Sequence, residues 1–144
     1  MDTDQSSLDR PAAIAVMLTQ IRAVLASARF IVQNEASLQE LVANLLTVRL
    51  EPYRITISRE VIVNGGRFDI LALSCVGVRL VLELKVKGGA AAAERQAMRY
   101  ANYADVDGVA IVTTSHRLAH ELRRVDNANT LGGKPFDVIT LRTF

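Results

Sequence analysis

Residues 67–100 read RFDILALSCVGVRLVLELKVKGGAAAAERQAMRY, and the way this stretch alternates apolar runs with turn residues decides the fold. Residues 67–73 and 78–86 are rich in β-branched and apolar side chains and predict two strands, with 74–77 as the turn between them. Gly88-Gly89 ends the second strand, and the alanine-rich segment 90–104 predicts a helix. Asp69, Glu83 and Lys85 fall inside the strand-like runs, where charges are scarce. Such residues are almost never fully buried unless paired. Their cost to stability needs an offsetting reason, and a divalent cation with a water to activate is the best candidate.

Outward from this stretch the pattern continues in both directions. Residues 56–63 predict a preceding strand, joined to the next through the hairpin-type turn Asn64-Gly65-Gly66. Farther upstream, Pro11 suits the first turn of a helix over 11–27, with Ile14, Met17, Leu18, Ile21 and Leu25 on one stripe. Asn34 reads as the N-cap of a second helix over 35–47, and Pro52 closes that region. Downstream, Asp107-Gly108 precedes a short apolar strand at 109–113. A helix follows over 116–124, then the turn Gly132-Gly133-Lys134-Pro135 and a last strand over 136–141. The resulting expectation is an α/β fold, a mixed central sheet of about five strands flanked by helices. Its first three strands form a meander, and a right-handed crossover spans 78–113. Residues 1–10 are expected to be a flexible lead-in and 11–144 a single domain.

Composition sets broad limits. The chain has 144 residues, half of them hydrophobic, enough for a core without staples. A formal charge of +2 and a pI near 9.0 permit contact with a polyanion without demonstrating it. Cys75 is the single cysteine, so no disulfide forms within the chain. No apolar run approaches the roughly 18 residues of a membrane span, and the polar start MDTDQSSLDRP is not a secretory signal. A soluble, cytoplasmic protein is expected.

Strand geometry groups the charged residues. Successive side chains alternate faces, so Glu83 and Lys85 point one way while Leu82 and Leu84 point the other. A turn at 74–77 sets Asp69 roughly opposite Leu82 or Glu83. Two neighbouring carboxylates repel unless a cation or a proton lies between them, and a hard cation such as Mg²⁺ takes oxygen ligands of this kind. On the following helix Gln96 and Tyr100 are four apart and share a face. Gln96 is placed to bond a bound water or a phosphate oxygen. Arg95 and Arg99 form a second such pair, continued by Asn102, as a phosphate-facing stripe. In the second helix, Leu38, Leu41, Val42, Leu45 and Leu46 define the apolar stripe. At about 100° per residue, Glu35 falls roughly 50° from the stripe centre and Glu40 near the opposite side. Glu35 is therefore expected to look toward the sheet and Glu40 into water.

Glu35, Arg67-Phe68-Asp69, Glu83-Leu84-Lys85 and Gln96-x-x-x-Tyr100 together resemble the PD-(D/E)XK nuclease superfamily. The Gln-x-x-x-Tyr helix is similar to its RecB-type branch, and the spacing to the nuclease domain of NucS-type endonucleases. The resemblance spans about residues 34–113. It implies a restriction-endonuclease-like core and a metal-dependent phosphodiesterase acting on DNA in repair or recombination, with RNA an open alternative. On that reading Asp69, Glu83 and the backbone carbonyl of Leu84 hold Mg²⁺, for which Mn²⁺ substitutes. Lys85 positions the attacking water, Glu35 completes the shell directly or through water, and Gln96 and Tyr100 support the site and the phosphate. Arg67, Lys87, Arg95 and Arg99 would contact nucleic acid. Phe68 stands where the family usually has proline.

The chain carries no recognisable sequence-reading module, so specificity would come from DNA structure, a homodimer or a protein partner. Two other readings are a catalytically silent nucleic-acid-binding or assembly module on the same fold, and a different fold in which the charges are only an ion-pair network. His116 and His120 are four apart but lack the glutamate of a zincin helix. The Gly132–Pro135 turn lacks the spacing of a phosphate-binding loop, Ser115 has no triad partner, and nothing near Cys75 suggests activation.

Overall fold

The computed structural model describes residues 9–125 and 130–144. Apart from its last two positions, the expected lead-in over 1–10 lies outside the described residues. The elements are α1 (Arg10–Ala26), β1 (Arg29–Phe30), α2 (Glu35–Leu50), a 3₁₀ turn (Glu51–Tyr53), β2 (Ile55–Val63), β3 (Gly66–Ser74), β4 (Arg79–Lys85), α3 (Ala90–Ala101), β5 (Gly108–Thr113), α4 (His116–Val125), β6 (Thr130–Leu131), β7 (Lys134–Thr140) and β8 (Arg142–Thr143). Among the described residues no helix is long and apolar enough to cross a membrane.

The main sheet has six strands in the order β2-β3-β4-β5-β7-β6. β2, β3 and β4 form an antiparallel meander, whereas β4, β5 and β7 run parallel. A parallel neighbour needs a crossover, and α3 and α4 supply the two. The sixth strand, β6, is a two-residue hairpin partner of β7, too short to leave a periodic signal in the sequence. A separate two-residue parallel pair joins β1 to β8.

The sheet is covered on both faces. Ile14, Met17, Ile21 and Leu25 of α1, with Leu38, Val42, Leu46 and Leu50 of α2, pack on Ile70, Leu80, Leu82, Leu84 and Val112. On the other face Ala93, Ala97 and Tyr100 of α3, with Leu118 and Leu122 of α4, pack on Phe68, Val81, Ile111 and Val138. Central strand β5 is buried along its whole length, as expected of a parallel strand sandwiched between helices.

Two local details of α2 bear on the site. Asn34 caps the helix through a capping box: its Oδ1 accepts from the Ser37 amide at 2.7 Å. The buried side of α2 is rotated from the expected stripe, with Gln39, Ala43 and Leu50 inside and Leu41 exposed. The physical reason is that Gln39 finds two hydrogen-bond partners against the sheet, which Leu41 could not use.

Beyond the β6 pairing at Pro135 and Lys134, side chains occupy the backbone groups of Val138 on β7. The Val138 carbonyl accepts from Arg123 Nη2 at 3.0 Å and Arg22 Nη2 at 3.4 Å, and the Val138 amide donates to Asp137 Oδ1 at 2.9 Å. Arg22 also pairs with the Asp137 carboxylate. A groove of about 450 Å³ runs along this edge between α1 and α4.

Leu82 is fully buried in the centre of the sheet. Leu82→Ala is expected to lower unfolding free energy by about 2–5 kcal/mol. Asn34→Ala, which removes only a cap, should cost about 1 kcal/mol. Urea melts of the two variants should therefore give clearly separated midpoints.

Candidate active site

The β3–β4 ladder fixes the geometry. Its partners run from Leu73↔Arg79 to Ile70↔Leu82, so the next position in the same register sets Asp69 across from Glu83. The ladder stops there. Instead of a backbone carbonyl, the Leu84 amide finds the Asp69 carboxylate, donating to Oδ2 at 2.9 Å. The N–H and C=O of one strand residue point to the same side, so the Leu84 carbonyl is directed toward the β3 side as well.

β3 also turns over at this point. Ile70 and Ala72 lie in the core beneath α1 and α2, but Phe68, which would share their face in a regular strand, lies in the core beneath α3 and α4. Opposite Asp69 on β2, Glu60 adopts a left-handed backbone, φ 50°, and the Glu60–Asp69 pair is missing from an otherwise continuous ladder. Asp69 therefore sits at a break in its own strand. Its freed carbonyl accepts from Gln39 Nε2 at 3.2 Å, and Gln39 Oε1 accepts from Arg59 Nη2 at 3.2 Å.

Glu83 is 3% exposed. Burial, followed by the neighbouring Asp69 charge and a hydrogen bond with Asp69, pushes its pKa from the ordinary 4.5 up to about 9, against a smaller lowering by Lys85. Lys85 Nζ lies 4.0 Å from Glu83 Oε1, at the outer limit of an ion pair. Glu83 Oε2 is buried with no hydrogen-bond partner. A buried, unpartnered carboxylate oxygen beside a second carboxylate and an inward-facing carbonyl is the donor set of a hard cation that keeps much of its water. On these grounds Asp69, Glu83 and the Leu84 carbonyl fit such an ion. Among the described residues no group of three or more His, Cys, Asp or Glu is arranged to hold a metal, so the fit rests on two carboxylates.

The other predicted residues divide. Glu35 is exposed at the start of α2, its Oε1 accepting from the Val86 amide at 3.3 Å. It thus faces the end of β4 but does not join the carboxylate pair, while Glu40 is exposed. Tyr100 is 2% exposed, stacks edge-on against Phe68 at 5.0 Å, and donates its hydroxyl to the Arg67 carbonyl at 2.8 Å. Gln96 Nε2 donates to that hydroxyl at 3.0 Å. The Gln-x-x-x-Tyr pair therefore braces the backbone two residues before Asp69. Burial, and next the Glu83 charge, hold the Tyr100 pKa above the ordinary 10.

The basic residues lie outside this buried set. Arg95, Arg99 and Lys87 are exposed, with Arg99 Cζ 5.5 Å from the Tyr100 ring centroid. Arg67 is exposed, 3.8 Å from Glu60. A cleft of about 130 Å³, lined by Glu35, Ala36, Gln39, Glu60, Arg67 and Asp69, leads from the surface to the strand break. His116 and His120 are exposed on α4.

Sequence reasoning missed two residues. Gln39 carried a usable signal, since it lies four after Glu35 and three before Val42, a polar side chain on the buried face. Tyr103, whose hydroxyl bonds the Asn64 carbonyl and whose ring meets Phe68 edge-on at 5.5 Å, carried none. With Tyr100 it clamps the β2–β3 hairpin to α3.

No protein-family model matches the chain, and no curated protein matches it. Among solved structures, the chain is similar to a repair endonuclease from Pyrococcus abyssi, with a TM-score of 0.51 and 21% identity, over 80% of this chain and 50% of that one. The chain spans half the length of that structure. The likeness shows the fold, a restriction-endonuclease-like α/β core.

The Glu83 shift predicts how stability depends on pH. Between about 4.5 and 9 the folded protein keeps a proton that the unfolded chain releases, so stability falls as pH rises through that window. In EDTA, the thermal midpoint should be higher at pH 5.5 than at pH 8. Glu83→Gln, which mimics the protonated acid, should remove most of that difference.

Proposed function

We propose that this chain is a metal-dependent nuclease that hydrolyses DNA phosphodiester bonds, directed by DNA structure rather than base sequence. The observation that carries this reading is the Asp69–Glu83 pair at the broken end of the β3–β4 ladder, with Lys85 beside it. It is supported by the fold shared with the endonuclease structure.

Asp69, Glu83 and the Leu84 carbonyl would hold Mg²⁺ or Mn²⁺. A divalent cation there would lower the pKa of a bound water and neutralise charge at the phosphate. The chain's own residues do the rest. Lys85, half-buried at the end of β4, would hold the attacking water or offset phosphate charge. Gln96 and Tyr100 keep the strand carrying Asp69 in place through the Arg67 carbonyl. Arg95, Arg99, Lys87 and Arg67 would meet flanking phosphates, which makes binding fall with salt. Glu35, held on the Val86 amide, would act at most through water. A homodimer or a protein partner would supply further specificity.

One observation favours a second reading, a binding or assembly module without hydrolysis. Among the described residues only two acids converge, and Glu35 is engaged with the Val86 amide. The two readings separate with labelled single-stranded, duplex, flap and four-way DNA in Mg²⁺, Mn²⁺ or EDTA. The nuclease cleaves in metal alone; the module retains DNA equally in metal and EDTA and cleaves nothing.

Asp69→Asn, Glu83→Gln and Lys85→Ala are each expected to reduce cleavage by about 100-fold or more with the fold retained, whereas Glu40→Gln should leave it unchanged. Cleavage that survives Asp69→Asn would sink the assignment.

A further inference from the structure

We propose that Gln39, oriented by Arg59, is a positioning residue that holds Asp69 in place for cation binding and, through it, for phosphodiester cleavage. The inference rests on the nuclease reading and adds a residue to its site.

Where the Glu60–Asp69 pair drops out of the β2–β3 ladder, the Asp69 backbone loses its regular partners. A buried carbonyl without a partner is costly, and Gln39 Nε2 supplies one at 3.2 Å. Gln39 is 5% exposed on the buried face of α2. A leucine there would bury comparable area with no polar group to satisfy, so what the amide contributes is its hydrogen bonds. Its orientation is fixed by its partners. The Asp69 carbonyl can only accept and the Arg59 guanidinium can only donate, so the amide nitrogen faces Asp69 and the amide oxygen faces Arg59.

Asp69 is thereby anchored at both ends from different elements. Its main chain is tied to α2 through Gln39, and its carboxylate to β4 through the Leu84 amide. With both bonds made, the carboxylate lies beside Glu83. Without Gln39 the peptide after Asp69 can rotate to find another donor and takes the carboxylate with it. A shift of about 1 Å is enough to damage a reactive geometry, and partners of metal ligands typically matter about 10–100-fold in affinity or activity.

The test uses the full chain and Mn²⁺ titrated by calorimetry at fixed pH, for wild type, Gln39→Met, Arg59→Ala and Asp69→Asn, alongside thermal melts and DNA cleavage kinetics. Gln39→Met is expected to weaken Mn²⁺ binding by about tenfold or more and to lower kcat with KM for DNA unchanged. Arg59→Ala, an exposed position, should give a smaller loss in the same direction. A purely structural Gln39 would lower the melting temperature while the folded variant bound Mn²⁺ as wild type does, and that result overturns the proposal. If Gln39→Met does not fold, unchanged Mn²⁺ affinity in Arg59→Ala overturns it. If wild type shows no Asp69-dependent Mn²⁺ binding, the nuclease reading itself falls and this inference falls with it.

Discussion

The hydrogen bond from the Leu84 amide to the Asp69 carboxylate is the interaction on which the rest of the site depends. In a β-ladder the amides that point toward the partner strand normally donate to its backbone carbonyls. Here one rung is made by a side chain, so the two strands part without leaving that amide unsatisfied. Where the pairing ends, the Asp69 and Glu83 carboxyls lie close together, and Asp69 also lines the small cleft that reaches the strand break. Elements from both faces hold these strands in shape: α2 through Gln39, α3 through the Tyr100 hydroxyl, and the turn after α3 through the Tyr103 hydroxyl on the Asn64 carbonyl.

That arrangement carries an energetic conflict. Two carboxyls placed side by side, one of them buried, favour a retained proton, and Glu83 accordingly holds its proton far above the usual carboxylate range. Lys85 offsets this only partly, since at 4.0 Å it is too distant to bond strongly. The folded chain relieves this conflict by keeping on Glu83 a proton that an exposed carboxylate would already have released. Sites with displaced proton affinities of this kind are more often functional than ordinary surface is, although ion-pair networks also produce them.

Much of this geometry was legible in the sequence. The turn at 74–77 has a short, defined length, so counting outward from it brought Asp69 level with Leu82 or Glu83, and the observed register, carried one position past Ile70↔Leu82, selects Glu83. Strand alternation separated Glu83 and Lys85 from Leu82 and Leu84, and the two leucines lie together in the core beneath α1 and α2. Asn34 announced its helix because a cap needs a side-chain acceptor at one position. The strand break was not legible. It depends on Glu60 taking a left-handed backbone, which glutamate rarely signals, and on a partner thirty residues away in Gln39. The burial of Gln39 in place of Leu41 has the same origin: hydrophobic periodicity locates a helix face to within a residue or so, and a pair of hydrogen bonds decided which residue turned inward.

On the far side of the sheet, charge takes the place of backbone pairing. An unpaired strand edge is a template for another chain, yet at Val138 the carbonyl already receives two guanidinium donors and the amide already points at a carboxylate. A visiting strand would have to evict Arg22, Arg123 and Asp137 before forming its first rung there. Three charged side chains thus stand where a docking strand would need free backbone groups, so pairing there would cost their displacement before it gained a hydrogen bond.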